Sequence, residues 1–174
     1  MKFTVNRTEL LAAAQNAERI APRVSTIEIL QCAYLQASQE TLTVASGNLE
    51  IALEQQLPAQ IEAESRGNIS FLVPAASLEK LAALVDNREK LQVGTTGKTI
   101  VFTKENFSFA ARVMDGPYLA VSQVLSNLKQ QFTVLTDAAL LRDTILQALS
   151  VTGTQNRFSL SFAGNRLTVR CESE

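Results

Sequence analysis

A short strand that turns directly into a helix is written three times in this chain, and a repeat of this kind limits the architecture more than any single motif. The first copy is Phe3-Thr4-Val5-Asn6-Arg7-Thr8-Glu9-Leu10-Leu11. In the second, Phe71-Leu72-Val73 leads through Pro74 into Ser77-Leu78-Glu79-Lys80-Leu81. In the third, Phe132-Thr133-Val134-Leu135 leads through Thr136-Asp137 into Leu140-Leu141. Each copy is followed by alternating polar and apolar runs. The pattern predicts βαβββ units in series, the third one shortened. The fold class is α+β, with antiparallel sheets outside and helices on one face.

The spacing predicts a first helix from about Arg7 to Ile20. Asn6 is its N-cap, and Glu9 completes a capping-box pattern. Leu10, Leu11, Ala14, Ala17 and Ile20 share one face; Glu9, Asn16, Glu18 and Arg19 lie opposite. Pro22 stops the helix. Strands are expected from Ile29 to Ala37, over Thr41-Leu42-Thr43-Val44, and from Leu49 to Leu57, where Pro58 ends the run. Gln60 to Asn68 reads as a polar connector. The second unit has a strand at Ile69 to Val73 and a helix from about Pro74 to Val85, with Leu78, Leu81, Ala82 and Val85 inward. Strands follow at Lys90 to Val93, Thr99 to Thr103 and Phe107 to Val113. Met114 to Lys129 reads as a linker. The third unit has a strand from Phe132 and a helix from Asp137 to Leu149, with Leu141, Ile145, Ala148 and Leu149 inward. Strands at Arg157 to Phe162 and Arg166 to Cys171 complete it. The expected domains are therefore 1–118, with two units, a linker over 119–130, and a further half-domain over 131–174.

The chain holds no histidine, which removes the commonest general base and most zinc sites. Cys32 and Cys171 sit in strand-like runs without companion ligands, so they read as buried free thiols. Neither a metal nor a cofactor is expected. Gly94-Thr95-Thr96-Gly97-Lys98 resembles part of a phosphate loop but joins two strands, not a strand and a helix. Glu62 and Glu64 fall in the connector and read as solvated. The residues point to no catalytic site. Net charge is −1, so composition gives no general attraction to nucleic acid or membrane. No apolar run reaches the ~18 residues a membrane span needs. No basic and apolar leader precedes the first strand, and a cytoplasmic location is expected. Arg7, Arg19, Arg23, Lys80, Arg88 and Arg142 lie on or beside the helices, together with Glu9, Glu18, Glu79, Asp86, Asp137 and Asp143. They form either solvated faces of mixed charge or a surface that touches phosphates without reading bases.

The repeat and several local segments resemble the bacterial DNA polymerase III beta subunit, the sliding clamp. The residues that carry the likeness are Met1-Lys2-Phe3-Thr4-Val5, Ser25-Thr26-Ile27-Glu28-Ile29-Leu30, Leu42-Thr43-Val44 and Asn48-Leu49-Glu50-Ile51. Val73-Pro74, Ile100-Val101-Phe102 and Arg112-Val113-Met114-Asp115-Gly116 extend it. The chain departs from the family at Ile27-Glu28, where Leu-Pro is usual, and at Gly47-Asn48, where Thr-Asp is usual. Arg112 to Leu125 looks like the end of the family's second domain and Phe132 to Glu174 like the start of a third, as if a middle domain were absent.

The resemblance implies a DNA-clamp fold and a non-catalytic processivity factor that encircles duplex DNA without sequence preference. It also implies a replicative polymerase and a clamp loader as partners, and self-association into a ring. With three units per chain, a ring of twelve units is expected to take four chains, the open edge near Arg166 to Cys171 pairing between chains. The candidate DNA-binding residues are Arg19, Arg23, Lys80, Arg88 and Arg142; Arg23 best matches the basic residue after the first helix. The alternative is a clamp-fold adaptor that binds proteins and does not encircle DNA.

Overall fold

The computed structural model describes residues 2–38, 40–62, 69–84, 90–96, 98–118, 133–151 and 158–171. The chain divides into two compact units, Met1–Leu128 and Lys129–Glu174.

In unit 1, strand β1 (Lys2–Asn6) runs straight into helix α1 (Arg7–Ile20). Asn6 is the N-cap, its Oδ1 accepting from the Glu9 amide at 3.3 Å. Strands β2 (Cys32–Ser38), β3 (Thr41–Gly47) and β4 (Ala52–Ile61) follow. The second half repeats the plan with β5 (Ile69–Pro74), α2 (Ala75–Leu84), β6 (Lys90–Thr96), β7 (Thr99–Lys104) and β8 (Phe107–Arg112). All eight strands join one antiparallel sheet in the order β5-β2-β3-β4-β1-β6-β7-β8. The first strand of each half is therefore handed to the other: β1 lies on β6, and β5 lies on β2. Beyond β8, Leu72 pairs with Met114, so the two ends of the strand order are linked.

Period two fills the inner face of this sheet. Phe3, Val5, Leu35, Leu42, Val44, Val73, Leu91, Val93, Ile100 and Phe102 are all at most 2% exposed. Leu10, Ala13, Ala14 and Ala17 of α1 and Leu78 and Leu81 of α2 pack against them. The small alanines let α1 lie close to the strands, and the two helices also pack on each other. Leu11 and Ile20, expected inward, are only half-buried. The centre of the buried stripe is Ala13 and Ala14.

Several expectations give way to tertiary structure. Glu28–Gln31 forms a 3-10 turn where a strand was expected to begin. Ser25 causes it: its hydroxyl accepts from the Ile27 amide at 3.1 Å, and its carbonyl accepts from Gln31 Nε2 at 3.0 Å. Leu49 and Ile51 do not belong to β4. Asn48 Oδ1 accepts from the amides of Glu50 and Ile51, and Leu49 turns through a φ of 76°. Pro58 does not stop β4. It stands where that strand leaves β3, opposite Thr41, and takes up β1 from Ala59 onward. A change of partner is where a missing N–H is tolerated in a strand. Gln60 and Ile61 consequently pair with β1 and are not a connector.

In unit 2, α3 (Ala138–Leu149) is capped by Asp137, whose Oδ1 accepts from the Leu140 amide at 2.8 Å. The hairpin of β9 (Phe158–Ala163) and β10 (Arg166–Cys171) turns at Gly164, which has a φ of 57°. Leu141, Ile145, Ala148 and Leu149 lie half-buried on one face, as their spacing predicts. Thr133 to Asp137 is not a strand. The physical reason is the absence of a neighbour: β1 is held between β4 and β6, and among the described residues unit 2 offers no equivalent of either. The expected strand residue Phe132, the linker residues 119–130, Val85, Asp86 and Glu64 lie outside the described residues.

Leu78 is fully buried between α2 and the sheet. Leu78→Ala is expected to destabilise unit 1 by about 3 kcal/mol, because the cavity term adds to the lost transfer energy. Asn6→Ala is expected to cost about 1 kcal/mol through the lost cap. Urea denaturation followed by circular dichroism checks both values and their order.

Candidate nucleic-acid interface

The helices supply the residues that sequence reasoning singled out. On α1 the side chains of Thr8, Glu9, Ala12, Gln15 and Arg19 are exposed; on α2 those of Ala76, Glu79, Lys80, Ala83 and Leu84 are. Arg19 and Lys80 therefore lie on the solvent faces of two helices that touch. Their charge is matched by Glu9 and Glu79 on the same faces. Arg23 follows α1 with its side chain 86% exposed, and its Nη2 stands 3.6 Å from Glu18 Oε1. A pair of this length whose cation stands in water is loose and contributes little to stability. Arg142 belongs to unit 2 and is engaged locally: its Nε and Nη2 donate to Asp143 Oδ1 at 3.0 and 2.9 Å. Arg88 lies outside the described residues.

Arg7 does not face solvent at all. It is 2% exposed, and its Nε and Nη1 make no hydrogen bond among the described residues. The structure thus removes Arg7 from the basic residues available to a phosphate. Asn16, expected on the wet face, is half-buried and donates from Nδ2 to Gln55 Oε1 at 3.2 Å, joining α1 to β4.

The opposite, outer face of the sheet carries a feature that the sequence pattern did not single out. Thr4, Gln92, Thr103 and Ser108 stand in one row across β1, β6, β7 and β8. They line a shallow groove with Lys90 and Lys104. Lys90 Nζ donates to Gln60 Oε1 at 3.3 Å at its edge. The only signal in the sequence was polar alternation, which marks a wet face without indicating its shape.

Residues 113–118 tie the end of unit 1 to both halves. The Val113 amide donates to Lys98 O and the Met114 amide to Leu72 O, each at 2.8 Å. Gly116, with φ of 153°, sits so close to Ile29 that a Cβ there would fall 2.7 Å from its Cδ1. Tyr118 stacks on Tyr34 with ring centroids 4.7 Å apart and planes 3° from parallel. The Lys98 ammonium, 2.6 Å from Asp115 Oδ2, holds that carboxyl below the usual carboxylate range through a hydrogen bond and its charge. Burial pushes the Cys32 thiol up, with a smaller push from Glu28, so it is a poor nucleophile. No cluster of ligands for a metal occurs among the described residues. No described helix is long and apolar enough to cross a membrane.

Comparison with known proteins places this geometry. The family model described as the DNA polymerase III beta subunit, N-terminal domain, matches residues 1–117. The chain belongs to the DNA polymerase III beta subunit family. That family comprises non-catalytic accessory subunits. The reading of Arg112 to Leu125 as the end of a second domain is corrected as far as residue 117, since the match to the N-terminal domain runs to that residue. Among solved structures, the chain is similar to the Bacillus subtilis sliding clamp, with 16% identity and a TM-score of 0.83 over 97% of this chain and 45% of that one. It is similar to the Thermotoga maritima beta subunit, with 16% identity and a TM-score of 0.77 over 99% and 47%. It is also similar to a Helicobacter pylori beta clamp solved with a DNA ligase peptide, with 14% identity and a TM-score of 0.63 over 87% and 40%. At these identities the likeness shows the fold, and the chain spans less than half the length of each of these structures. A search of curated proteins gave no significant match.

Tyr118 gives a pH prediction for the tie at the end of unit 1. Burial first, then the neighbouring Cys32, Tyr34 and Glu54, push its phenol from 10.0 up to about 12. The folded state favours the neutral phenol. Its contribution to stability is therefore complete below pH 10.0 and is lost as pH rises through 10.0 towards about 12. Phenolate absorbance should show one tyrosine titrating near pH 12 in the folded protein. Tyr34→Ala should move that step towards the ordinary phenol value.

Proposed function

We propose that the protein acts as a sliding-clamp subunit of a replicative DNA polymerase. In this reading it self-associates into a ring around duplex DNA and tethers the polymerase, with a clamp loader to place it. The observation that carries the proposal is the match of residues 1–117 to the N-terminal clamp domain. In the same reading residues 1–118 form a complete two-unit domain, 119–130 a linker and 131–174 half of a further domain. Arg19, Arg23 and Lys80 meet phosphates from the helical side of unit 1, Arg142 does so from unit 2, and Arg88 is the remaining candidate. The mechanism is topological. Contacts to phosphates and water, without contacts to base edges, carry no sequence information and leave the ring able to move along the duplex.

The alternative, an adaptor that binds proteins without encircling DNA, is favoured by two observations. Glu9 and Glu79 balance Arg19 and Lys80 on the exposed helix faces. The outer sheet face has a groove lined by hydrogen-bonding side chains.

Salt separates the two readings. Clamp-type contact with duplex DNA should weaken with salt by roughly 0.9 log units per log unit for each phosphate neutralised. Arg23→Glu together with Arg142→Glu should abolish it, equally for duplexes of unrelated sequence. Fluorescence anisotropy of labelled duplexes at graded salt measures this. Undetectable binding at low salt, with no effect of the reversals, would leave the adaptor reading standing.

A further inference from the structure

The two halves of unit 1 match strand for strand, and on the outer face of the sheet they differ. In the second half Thr4, Gln92, Thr103 and Ser108 form a row across β1, β6, β7 and β8. The matching row of the first half, across β5, β2, β3 and β4, is Leu72, Tyr34, Ala45 and Glu54. Thr4 and Leu72 hold the same place, each three residues before its helix. Alternate residues of a strand share a face, so Cys32 stands beside Tyr34 on the outer side of β2.

The row of the second half is wet: Gln92 and Ser108 are exposed, and Thr4 and Thr103 are half-buried. The first half is different. Cys32 and Ala45 are 2% exposed and Leu72 is 4% exposed. None of the three belongs to the main core, which lies on the other side of the sheet. They form a satellite cluster of the kind found under a covering segment.

Residues 113–118 lie over this cluster. The Met114 amide donates to Leu72 O, the Gly116 backbone rests on Ile29, and the Tyr118 ring lies flat on Tyr34. Cys32 and Glu54 are close enough to the Tyr118 phenol to push its pKa up.

The hold on this segment weakens along its length. Backbone bonds fix Val113 to Lys98 and Met114 to Leu72. Among the described residues, the backbone bonds of the segment end there. The Lys98–Asp115 pair stands in water, its side chains 71% and 75% exposed, and such pairs add little. Gly116 turns through a φ of 153°, a conformation glycine adopts freely. The Tyr118 hydroxyl is buried without a hydrogen-bond partner among the described residues. That group is penalised while the segment is down and is solvated once it lifts. Segments with few backbone bonds and few buried contacts open locally, below the free energy of global unfolding.

We propose that residues 115–118 are a strap that lifts from the outer face as a local unit, hinged at Met114, while the eight-stranded sheet stays folded. Lifting uncovers Leu72, Tyr34 and Ala45 and opens the Cys32 thiol to solutes. The strap is a built-in, removable cover for an apolar patch. The proposal concerns unit 1 alone and holds under the clamp reading and the adaptor reading alike.

Cys171→Ser leaves Cys32 as the single thiol of the full chain. Its labelling by iodoacetamide is followed by mass spectrometry at graded urea, beside circular dichroism of the same samples. A local opening exposes little surface. The labelling rate should therefore be nearly flat at low urea and should rise steeply only near the unfolding transition. Tyr118→Ala should raise the flat part of the curve about tenfold, with the strand signal intact. Gly116→Ala is the second variant: a Cβ there would fall 2.7 Å from Ile29 Cδ1, so the strap could not seat as it does. It should raise the low-urea rate in the same way, and it serves if Tyr118→Ala folds poorly. A labelling rate that falls steeply all the way to zero urea overturns the proposal, since the thiol would then be reached only by global unfolding. So does a low-urea rate that neither variant changes. Failure of duplex binding leaves these outcomes unaffected.

Discussion

β1 is the strand on which the rest of unit 1 depends. It is bonded along both edges, to Ala59, Gln60 and Ile61 of β4 on one side and to five residues of β6 on the other. A strand so placed has its central backbone groups paired on both sides, and a slip by one residue would turn Phe3 and Val5 out of the core. Its other property is topological. It belongs to the first half by sequence and lies against the second half by pairing. β5 does the same in reverse on β2. Neither half can leave without stripping a strand from the other, so the two halves should unfold as one unit.

The same exchange sets what the helices can do. With β1 and β5 crossed over, α1 and α2 are brought side by side on the inner face, where the small side chains of Ala13, Ala14 and Ala17 meet the strands. What remains for solvent is one narrow stripe per helix. That stripe decides the candidate interface. It removes Arg7, which points into the core, and keeps Arg19 and Lys80, which do not. Arg7 is the costly member of this arrangement, since each buried donor without a partner costs on the order of 1–3 kcal/mol.

Elements defined by local chemistry were legible in the sequence. Asn6 announces its helix because a short polar side chain before an apolar stripe has one main use, and it caps as expected; Asp137, expected as the first residue of its helix, is that helix's cap. The strand-helix repeat was legible for the same reason. What failed was whatever depends on a neighbour. Pro58 is a breaker by local rule and is tolerated because β4 changes partner there. Thr133 to Leu135 is a strand by local rule and is not one, because a strand needs an edge to join. Within the candidate site, the sign of a side chain was readable and its direction was not: Arg7 and Arg19 are identical letters on one helix with opposite fates. The stack of Tyr118 on Tyr34 joins positions far apart in the chain, and no spacing rule reaches it.

The near balance of charge on the helix faces bears on how such a surface would hold DNA. In water, two unit charges 4 Å apart interact by only about 1 kcal/mol, and ionic strength screens more distant ones within about 10 Å. Arg19 and Lys80, sharing exposed helix faces with Glu9 and Glu79, would therefore give contacts close to thermal energy. A dense basic track would bind more tightly and move less readily. Under the clamp reading, weak contacts are sufficient because retention comes from closure around the duplex, and the strength of the assembly must lie between chains. The demand then falls on strand edges.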